Sequence, residues 1–314
     1  MGECPNSVNM GRGQAFGISD IACSPVATMT AQLSLTRFGL QRLPEHEGDD
    51  GINDSPFQQS EANREIRARI AGSIEGAPRP EELRYYLPLI FGGAWSTDQL
   101  KPDCACKAAV FGHKGRFKTH YFGGCQVSQA TFSSSSGNNK LRLSMDLVGK
   151  TFTTEDLEDW PSLSLSDQQP FVHKDSVFTI GGDTFKLDDF SLNVNNNVNT
   201  DLFYNSATPY EMPTGDQVYT LTHTSPFDTS TEEALLDIGE DSAAVVLTYT
   251  NGVYMLKFTF PAMQSPIPTP VVNGKNQPVR HEGITWTART VTGGPTNSDG
   301  KLVPVVIDIV DTIE

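Results

Sequence analysis

Apolar and polar residues alternate along much of this chain with a period of two, which is the spacing that gives an extended strand two different faces. The stretch FKLDDFSLNVNNNVN (185–199) is the clearest example, because its polar side carries almost no charge. The apolar side consists of Phe190, Leu192 and Val194, and the polar side of Ser191, Asn193 and Asn195. The pattern predicts a strand with one face on a core.

Further stretches alternate in the same way and predict more half-buried antiparallel strands. They are TAQLSLTRFGL (30–40), KLRLSMDLVGK (140–150), QVYTLTHT (217–224), GVYMLKFTF (252–260) and VPVVIDIVD (303–311). In KLRLSMDLVGK the polar side carries charge, since it includes Lys140 and Arg142. Strands dominate the expected structure.

One segment, RPEELRYYLPLIFGG (79–93), has helical spacing instead. Pro80 suits the first helical position, the two glutamates after it suit the positive end of the helix dipole, and Gly92 suits the end. The pattern predicts a helix over 80–91, with Pro88 kinking or ending it. The expected core-facing stripe is Leu83, Tyr86, Leu87 and Ile90.

The order of these elements predicts a mainly β protein of antiparallel strands with one helix, in one domain or two tandem related domains. We assign 1–60 to an N-terminal arm and long loop, 61–165 to a first β domain that includes the helix, and 166–314 to a second β domain. The polar, turn-forming stretch SLSLSDQQP (162–170) marks the boundary between the two domains.

Composition narrows the function classes. The chain has 314 residues and a formal net charge of -15, which disfavours tight binding to nucleic acid or to an anionic membrane. The N-terminal sequence lacks a basic start followed by an apolar run, and no segment is apolar for the length of a membrane span. We therefore expect a cytoplasmic product whose five cysteines are free thiols.

The sequence lacks the familiar motifs of catalytic and metal-binding sites. The chain has no nucleophile elbow, phosphate-binding loop or H-E-x-x-H helix. One cluster, formed by Cys104, Cys106, His113, His120 and Cys125, contains zinc-ligand types, but its first two cysteines are too close for the common structural zinc motifs. We predict no catalytic residues, no cofactor and no metal site, and therefore no enzyme.

Three segments together resemble the tail tube proteins of long-tailed (siphovirus-type) bacteriophages. They are ARIAGSIEGAPRPEELRYYLPLIFGG (68–93), DTFKLDDFSLNVNNNV (183–198) and PYEMPTGDQVYTLTHTSPF (209–227), and they occur in the family's order. The closing GITWTARTVTGG and VPVVIDIVDT are similar to the family's terminal strand pair, so the resemblance covers roughly residues 65 to 314.

The resemblance implies the tail-tube fold, an antiparallel β-sandwich with a flanking helix, and a structural role in the virion. Subunits of such proteins form rings that stack into a hollow tube, and DNA passes through the channel during ejection without specific binding. Ser191, Asn193 and Asn195 become candidates for the channel surface, because amides and hydroxyls stay hydrated without gripping phosphates. The ring needs three chains if both halves are tube domains and six otherwise.

The same resemblance implies the partners and the location. Besides itself, the protein would contact terminator, tape measure and distal tail proteins, with no membrane partner. It would reside in the virion tail after a period in the host cytoplasm. An alternative function is a virion binding module, either an adhesin or a capsid decoration with a sugar- or protein-binding sandwich. Three separated tryptophans could stack on sugar rings, and packing in the core or at a domain edge is the simpler interpretation of them.

Overall fold

The computed structural model describes residues 14–20, 28–47, 64–103, 107–157, 160–227, 242–265, 270–272 and 279–311, together with residues 235 and 275. These residues contain nineteen β-strands and one α-helix, so the protein is mainly β, as predicted. The helix, α1, spans Pro80–Phe91. The strands are β1 Ala15–Ser19, β2 Met29–Leu33, β3 Leu35–Phe38, β4 Gln41–Glu47, β5 Arg64–Gly76, β6 Trp95–Ser96, β7 Gln99–Leu100, β8 Ala109–Lys114, β9 Thr119–Ser135, β10 Arg142–Gly149, β11 Thr151–Glu155, β12 Ser176–Ile180, β13 Asp183–Phe185, β14 Asp189–Asn195, β15 Val218–Pro226, β16 Ala243–Asn251, β17 Tyr254–Gln264, β18 Arg280–Ala288 and β19 Val306–Val310.

All strand pairings in the described part of the chain are antiparallel, and hydrogen bonds connect the strands into one large sheet. Strand β9 is the longest and takes part in two regions of this sheet. Its first half pairs with β8 and β11, and its second half pairs with β10 and β14. Gly124, at a φ of 64°, lies between these halves in a conformation that favours glycine.

The sheet folds back on itself as a sandwich, because aromatic side chains meet across strands that do not pair. Phe132 of β9 lies 5.5 Å from Phe258 of β17, measured between ring centroids. Phe190 of β14 lies 5.9 Å from Tyr249 of β16 in the same way. These contacts place β9 and β14 in one layer and β16 and β17 in the other. The apolar face of each alternating strand therefore fills the space between the layers.

Helix α1 flanks the sandwich and begins and ends where the sequence predicts. Glu82 accepts hydrogen bonds from the backbone N–H groups of Arg79 (3.2 Å) and Ser34 (3.0 Å), which ties the helix start to the β2–β3 link. Burial raises the pKa of Glu82 to about 7, against the lowering effect of these two donors. Gly92 ends the helix at a φ of 79°. The buried face of α1 includes Leu83, Tyr86, Leu87 and Ile90.

Helix α1 continues through Pro88 to Phe91, so of the two predicted outcomes, a kink or an end at the proline, the end does not occur. Pro88 has no N–H, so the carbonyl of Arg84, four residues earlier, loses its usual helical donor. The indole N–H of Trp95 donates to this carbonyl at 2.9 Å. The guanidinium of Arg84 also lies 5.4 Å from the Trp95 ring. A side chain beyond the helix thus replaces the missing backbone bond.

We expect Trp95→Phe to lower the free energy of unfolding by about 1 kcal/mol, because the Arg84 carbonyl loses its donor. The matched test repeats the substitution in a Pro88→Ala background, where the restored N–H of residue 88 bonds the same carbonyl. Denaturant unfolding of all four proteins should then show a smaller penalty for Trp95→Phe in the Pro88→Ala background. An equal penalty in both backgrounds would mean that the indole N–H does not substitute for the helix bond.

The N-terminal region holds more strands than its sequence pattern suggests. Strands β1 to β4 lie between residues 15 and 47, where one strand is expected from TAQLSLTRFGL and the rest is expected to be arm and loop. Strand β1 pairs with β8, whose residues follow about ninety-five positions later. Pro44–Glu47, the start of the predicted long loop, belongs to β4, and the remainder of that loop lies outside the described residues.

Cys125 is a free thiol in the core, and burial raises its pKa. The other four cysteines lie outside the described residues.

Among the helices that the structure describes, none is both long enough and apolar enough to cross a bilayer.

Candidate functional site

Six neighbouring strands share one broad outward surface, which we call the polar face. Their pairings place them in the spatial order β5, β10, β9, β14, β15, β18. Along each of these strands, buried residues alternate with half-buried or exposed ones over the central part of the strand. The buried set faces the sandwich core, so the other set of side chains forms a single continuous surface across all six strands.

Strand β14 contributes the three residues singled out in the sequence. Ser191, Asn193 and Asn195 are half-buried and point to the polar face. The residues between them, Leu192 and Val194, are fully buried in the core. The period-two pattern of this stretch therefore corresponds to one core face and one solvent face.

The neighbours of these three residues on the adjacent strands are also uncharged. Hydroxyl and amide side chains predominate among the directly opposite partners. Ser191 pairs with Ser133 and Thr222, Asn193 with Thr131 and Thr220, and Asn195 with Gln129 and Val218. On β18, Thr285 lies opposite Thr222 and Thr287 lies opposite Thr220, so the uncharged surface continues onto that strand. The hydroxyls and amides give the centre of the polar face many hydrogen-bond donors and acceptors without net charge.

Hydrogen bonds between strands hold several of these side chains in place. The Asn193 amide donates to the Thr131 hydroxyl at 3.0 Å, and the hydroxyls of Thr222 and Thr285 lie 3.2 Å apart. The Asn195 side-chain oxygen accepts from the backbone N–H of Asn197 at 2.9 Å. These hydrogen bonds restrain side chains at the centre of the polar face, among them those of Asn193, Asn195, Thr222 and Thr285.

Charged residues on the polar face lie mainly toward its β5 edge and include both signs. Arg37 and Glu75 form an exposed ion pair at 3.0 Å. Arg142 and Asp146 of β10 point to the same side, which places a charged strand beside the uncharged ones. Asp189 extends the face at the start of β14. Lys140 lies outside β10, in an isolated bridge with Val172.

Strands β10, β14 and β15 were visible in the sequence, but the second half of β9 and the surface that these strands share were not. The polar residues Gln129, Thr131 and Ser133 of β9 alternate with buried ones just as β14 does. The signal that could have singled them out is the run SQATFSSS (128–135), which has alternating polarity and no charge. Only the β9–β14 pairing shows that the two runs are adjacent.

The cysteines and histidines weighed above as zinc-ligand types are not brought together within the described residues. His113 and His120 face each other across the β8–β9 hairpin with ring centroids 6.0 Å apart. Burial lowers the pKa of His113, and the neighbouring His120 lowers it further. Cys104 and Cys106 lie outside the described residues. Across the described part of the chain, no three His, Cys, Asp or Glu side chains are placed to share a metal ion.

Comparison with known protein families identifies the family of this chain. A family model described as "Phage tail tube protein" matches residues 44–288, which is well over half of the chain and includes all six strands of the polar face. No curated protein matches the chain.

Proposed function

The chain belongs to the phage tail tube protein family, and on that premise we propose that it assembles into rings that stack into a hollow, DNA-conducting tube. The protein is a structural component of the phage tail. The single observation that carries the proposal is the polar face, a six-strand surface whose reverse side is the sandwich core. In the proposed ring this face lines the channel, with Ser191, Asn193 and Asn195 directed into it.

The chemistry of the polar face suits a passage for DNA. Lysine or arginine side chains on a channel wall would bind phosphates and release counterions, which would retain the duplex. Hydroxyls and amides such as those of Thr131 and Asn193 keep the wall hydrated without forming ion pairs. Such a wall lets a polyanion pass without holding it.

The charged residues of the polar face fit the same role. The alternation that places Glu75 on this face also places Arg67 and Arg69 of β5 there, so the face carries both signs of charge. The guanidinium groups on its β5 side are already paired with carboxylates: Arg37 with Glu75, Arg67 with Glu45 and Arg69 with Asp201. The chain as a whole carries a charge of -15, whose repulsion of phosphates acts within about a Debye length, roughly 8 Å at physiological salt.

The assembly implied by this function is open-ended. Contacts around a ring close on themselves, whereas ring-on-ring contacts are head-to-tail and have no natural limit. Tube length therefore depends on other tail components, and we propose terminator, tape measure and distal tail proteins as partners. The protein would occupy the host cytoplasm before assembly and the virion tail afterwards.

Negative-stain electron microscopy of the purified protein at increasing concentration tests this function. We expect hollow tubes or stacked rings with a stain-filled centre. Discrete globules at every concentration, combined with binding to cells or glycans, would instead support the virion binding module and contradict the tube.

A further inference from the structure

A small cavity lies at the C-terminal end of α1, where the helix meets β9 and the segment that follows β14. The residues that line it include Leu89, Ile90 and Gly92 at the helix end, Gln126 of β9, and Asn196 directly after β14. The cavity has about 10 Å³ of room for the centre of a water molecule. A space of this size holds one water molecule or one ion.

The side chain of Asn196 has a fixed orientation at this cavity. Its amide nitrogen donates to the carbonyls of Ile90 and Val127, both at 2.9 Å. The opposite amide orientation would bring the side-chain oxygen against these two carbonyl oxygens, so Oδ1 has to lie on the side away from them. Asn196 is 3% exposed, and its Oδ1 has no hydrogen-bond partner within the described residues. A buried acceptor in this position requires a group from outside the chain.

The surroundings of Asn196 are electronegative. The cavity lies at the negative end of the α1 dipole, and the last turn of α1 contains no basic residue. The carboxylate-bearing Asp103 also lines the cavity, as does Gln126, which is 4% exposed. Carboxylate, amide and helix-end carbonyl oxygens therefore border one small space, and this combination favours a cation over a water molecule.

We propose that this cavity binds a Ca²⁺ ion, with Asn196 Oδ1 and the Asp103 carboxylate among its ligands. Ca²⁺ accepts amide and backbone carbonyl oxygens as well as carboxylates, and water completes its coordination on the open side. Mg²⁺ retains its water shell, so a space for a single particle suits it less well. With one carboxylate in the site, we expect a dissociation constant on the order of 10⁻⁴–10⁻³ M.

The position of the site gives the ion a structural effect that does not depend on ring assembly. Asn196 follows Asn195 of the polar face, and Gln126 precedes the half of β9 that pairs with β14. Bound Ca²⁺ would hold the end of α1 against both strands and so stabilise the sheet behind the polar face. Sequence motifs do not indicate such a site, because most of its donors are amides and backbone carbonyls.

Lys107 also lines the cavity, and its ammonium group is the competing occupant. Lys107 is half-buried, and its four-carbon stem allows the ammonium to lie in solvent while a metal ion occupies the cavity. Removing this charge with Lys107→Met should tighten Ca²⁺ binding severalfold, because the nearest positive charge is lost.

The test is a calcium titration of the full-length protein after treatment with a chelator, followed by calorimetry and thermal unfolding. We expect about 10 mM Ca²⁺ to raise the thermal midpoint by roughly 2–4 °C, and the same concentration of Mg²⁺ to raise it by less than half as much. Asp103→Asn should weaken Ca²⁺ binding about tenfold or more. The matched control, Asp216→Asn, removes the same charge from an exposed position in the neighbouring loop and should change the affinity less than about twofold.

The alternative occupants give different results. No saturable Ca²⁺ binding by the unmodified protein would overturn the proposal. An equal loss of affinity in Asp103→Asn and Asp216→Asn would mean diffuse attraction to a chain of charge -15 and would also overturn it. If Ca²⁺ binds only to Lys107→Met, the ammonium of Lys107 is the native occupant and the metal assignment is wrong. Should Asp103→Asn not fold, the tightening in Lys107→Met decides. The proposed tube function stands in each of these cases, since none of the measurements involves assembly.

Discussion

Replacing Phe258 with alanine is expected to lower the free energy of unfolding by about 3–5 kcal/mol, a large part of a typical domain's stability. Phe258 is fully buried on β17, and its ring contacts Phe132 of the opposite layer and Phe91 of the helix, at 5.5 and 6.2 Å between centroids. Truncation opens a cavity where both sheet layers and α1 meet. Urea unfolding monitored by circular dichroism measures the change.

The matched control is Phe117→Ala, at the tip of the β8–β9 hairpin. Phe117 is 76% exposed, so its removal should change the free energy of unfolding by less than about 0.5 kcal/mol. If Phe258→Ala cost no more than Phe117→Ala, the two sheet layers would not share the core described above.

Replacing both Asn193 and Asn195 with lysine is expected to leave ring assembly nearly intact and to slow DNA ejection. Both side chains lie on the polar face, half-buried, so the backbone pairing of β14 and its core face are unaffected. The loss of the Asn193–Thr131 hydrogen bond costs about 1 kcal/mol. Every chain adds two positive charges to the channel, and the phosphates they bind should slow ejection on the order of tenfold at low salt. Ejection kinetics of particles built with the variant measure the effect.

The control reverses the sign of the charge at the same positions. The double variant Asn193→Asp, Asn195→Asp adds two negative charges per chain instead of two positive ones. Because these carboxylates repel phosphates, ejection should remain as fast as in the unmodified particle. Raising the salt concentration should restore ejection in the lysine variant. Normal ejection by assembled particles that carry both lysines would show that this strand does not line the channel.

Local signals in the sequence were sufficient for the bounds of the helix and for several of the strands. Pro80 and Gly92 carry the chemistry of a helix start and end, and the structure places the helix between them. Alternation predicted β10, β15, β17 and β19, because burial of one strand face leaves a period-two pattern wherever the other face meets solvent.

What could not be predicted depends on contacts between distant parts of the chain. Helix α1 continues past Pro88 because Trp95, seven residues later, supplies a donor, and no helix rule contains that contact. The N-terminal strands exist because β8 and β5 offer edges to β1 and β4. Arg142 shares a face with Ser191 because β9 lies between their strands. Sequence periodicity specifies the faces of a strand but not its neighbours.

A cryo-electron microscopy reconstruction of the assembled protein, at a resolution that shows side chains, tests the central claim most directly. We predict a hollow tube in which Ser191, Asn193 and Asn195 face the channel and β14 lies in its wall. A reconstruction that places these three residues on the outer surface of the tube, or buries them in a particle without a channel, would contradict the account.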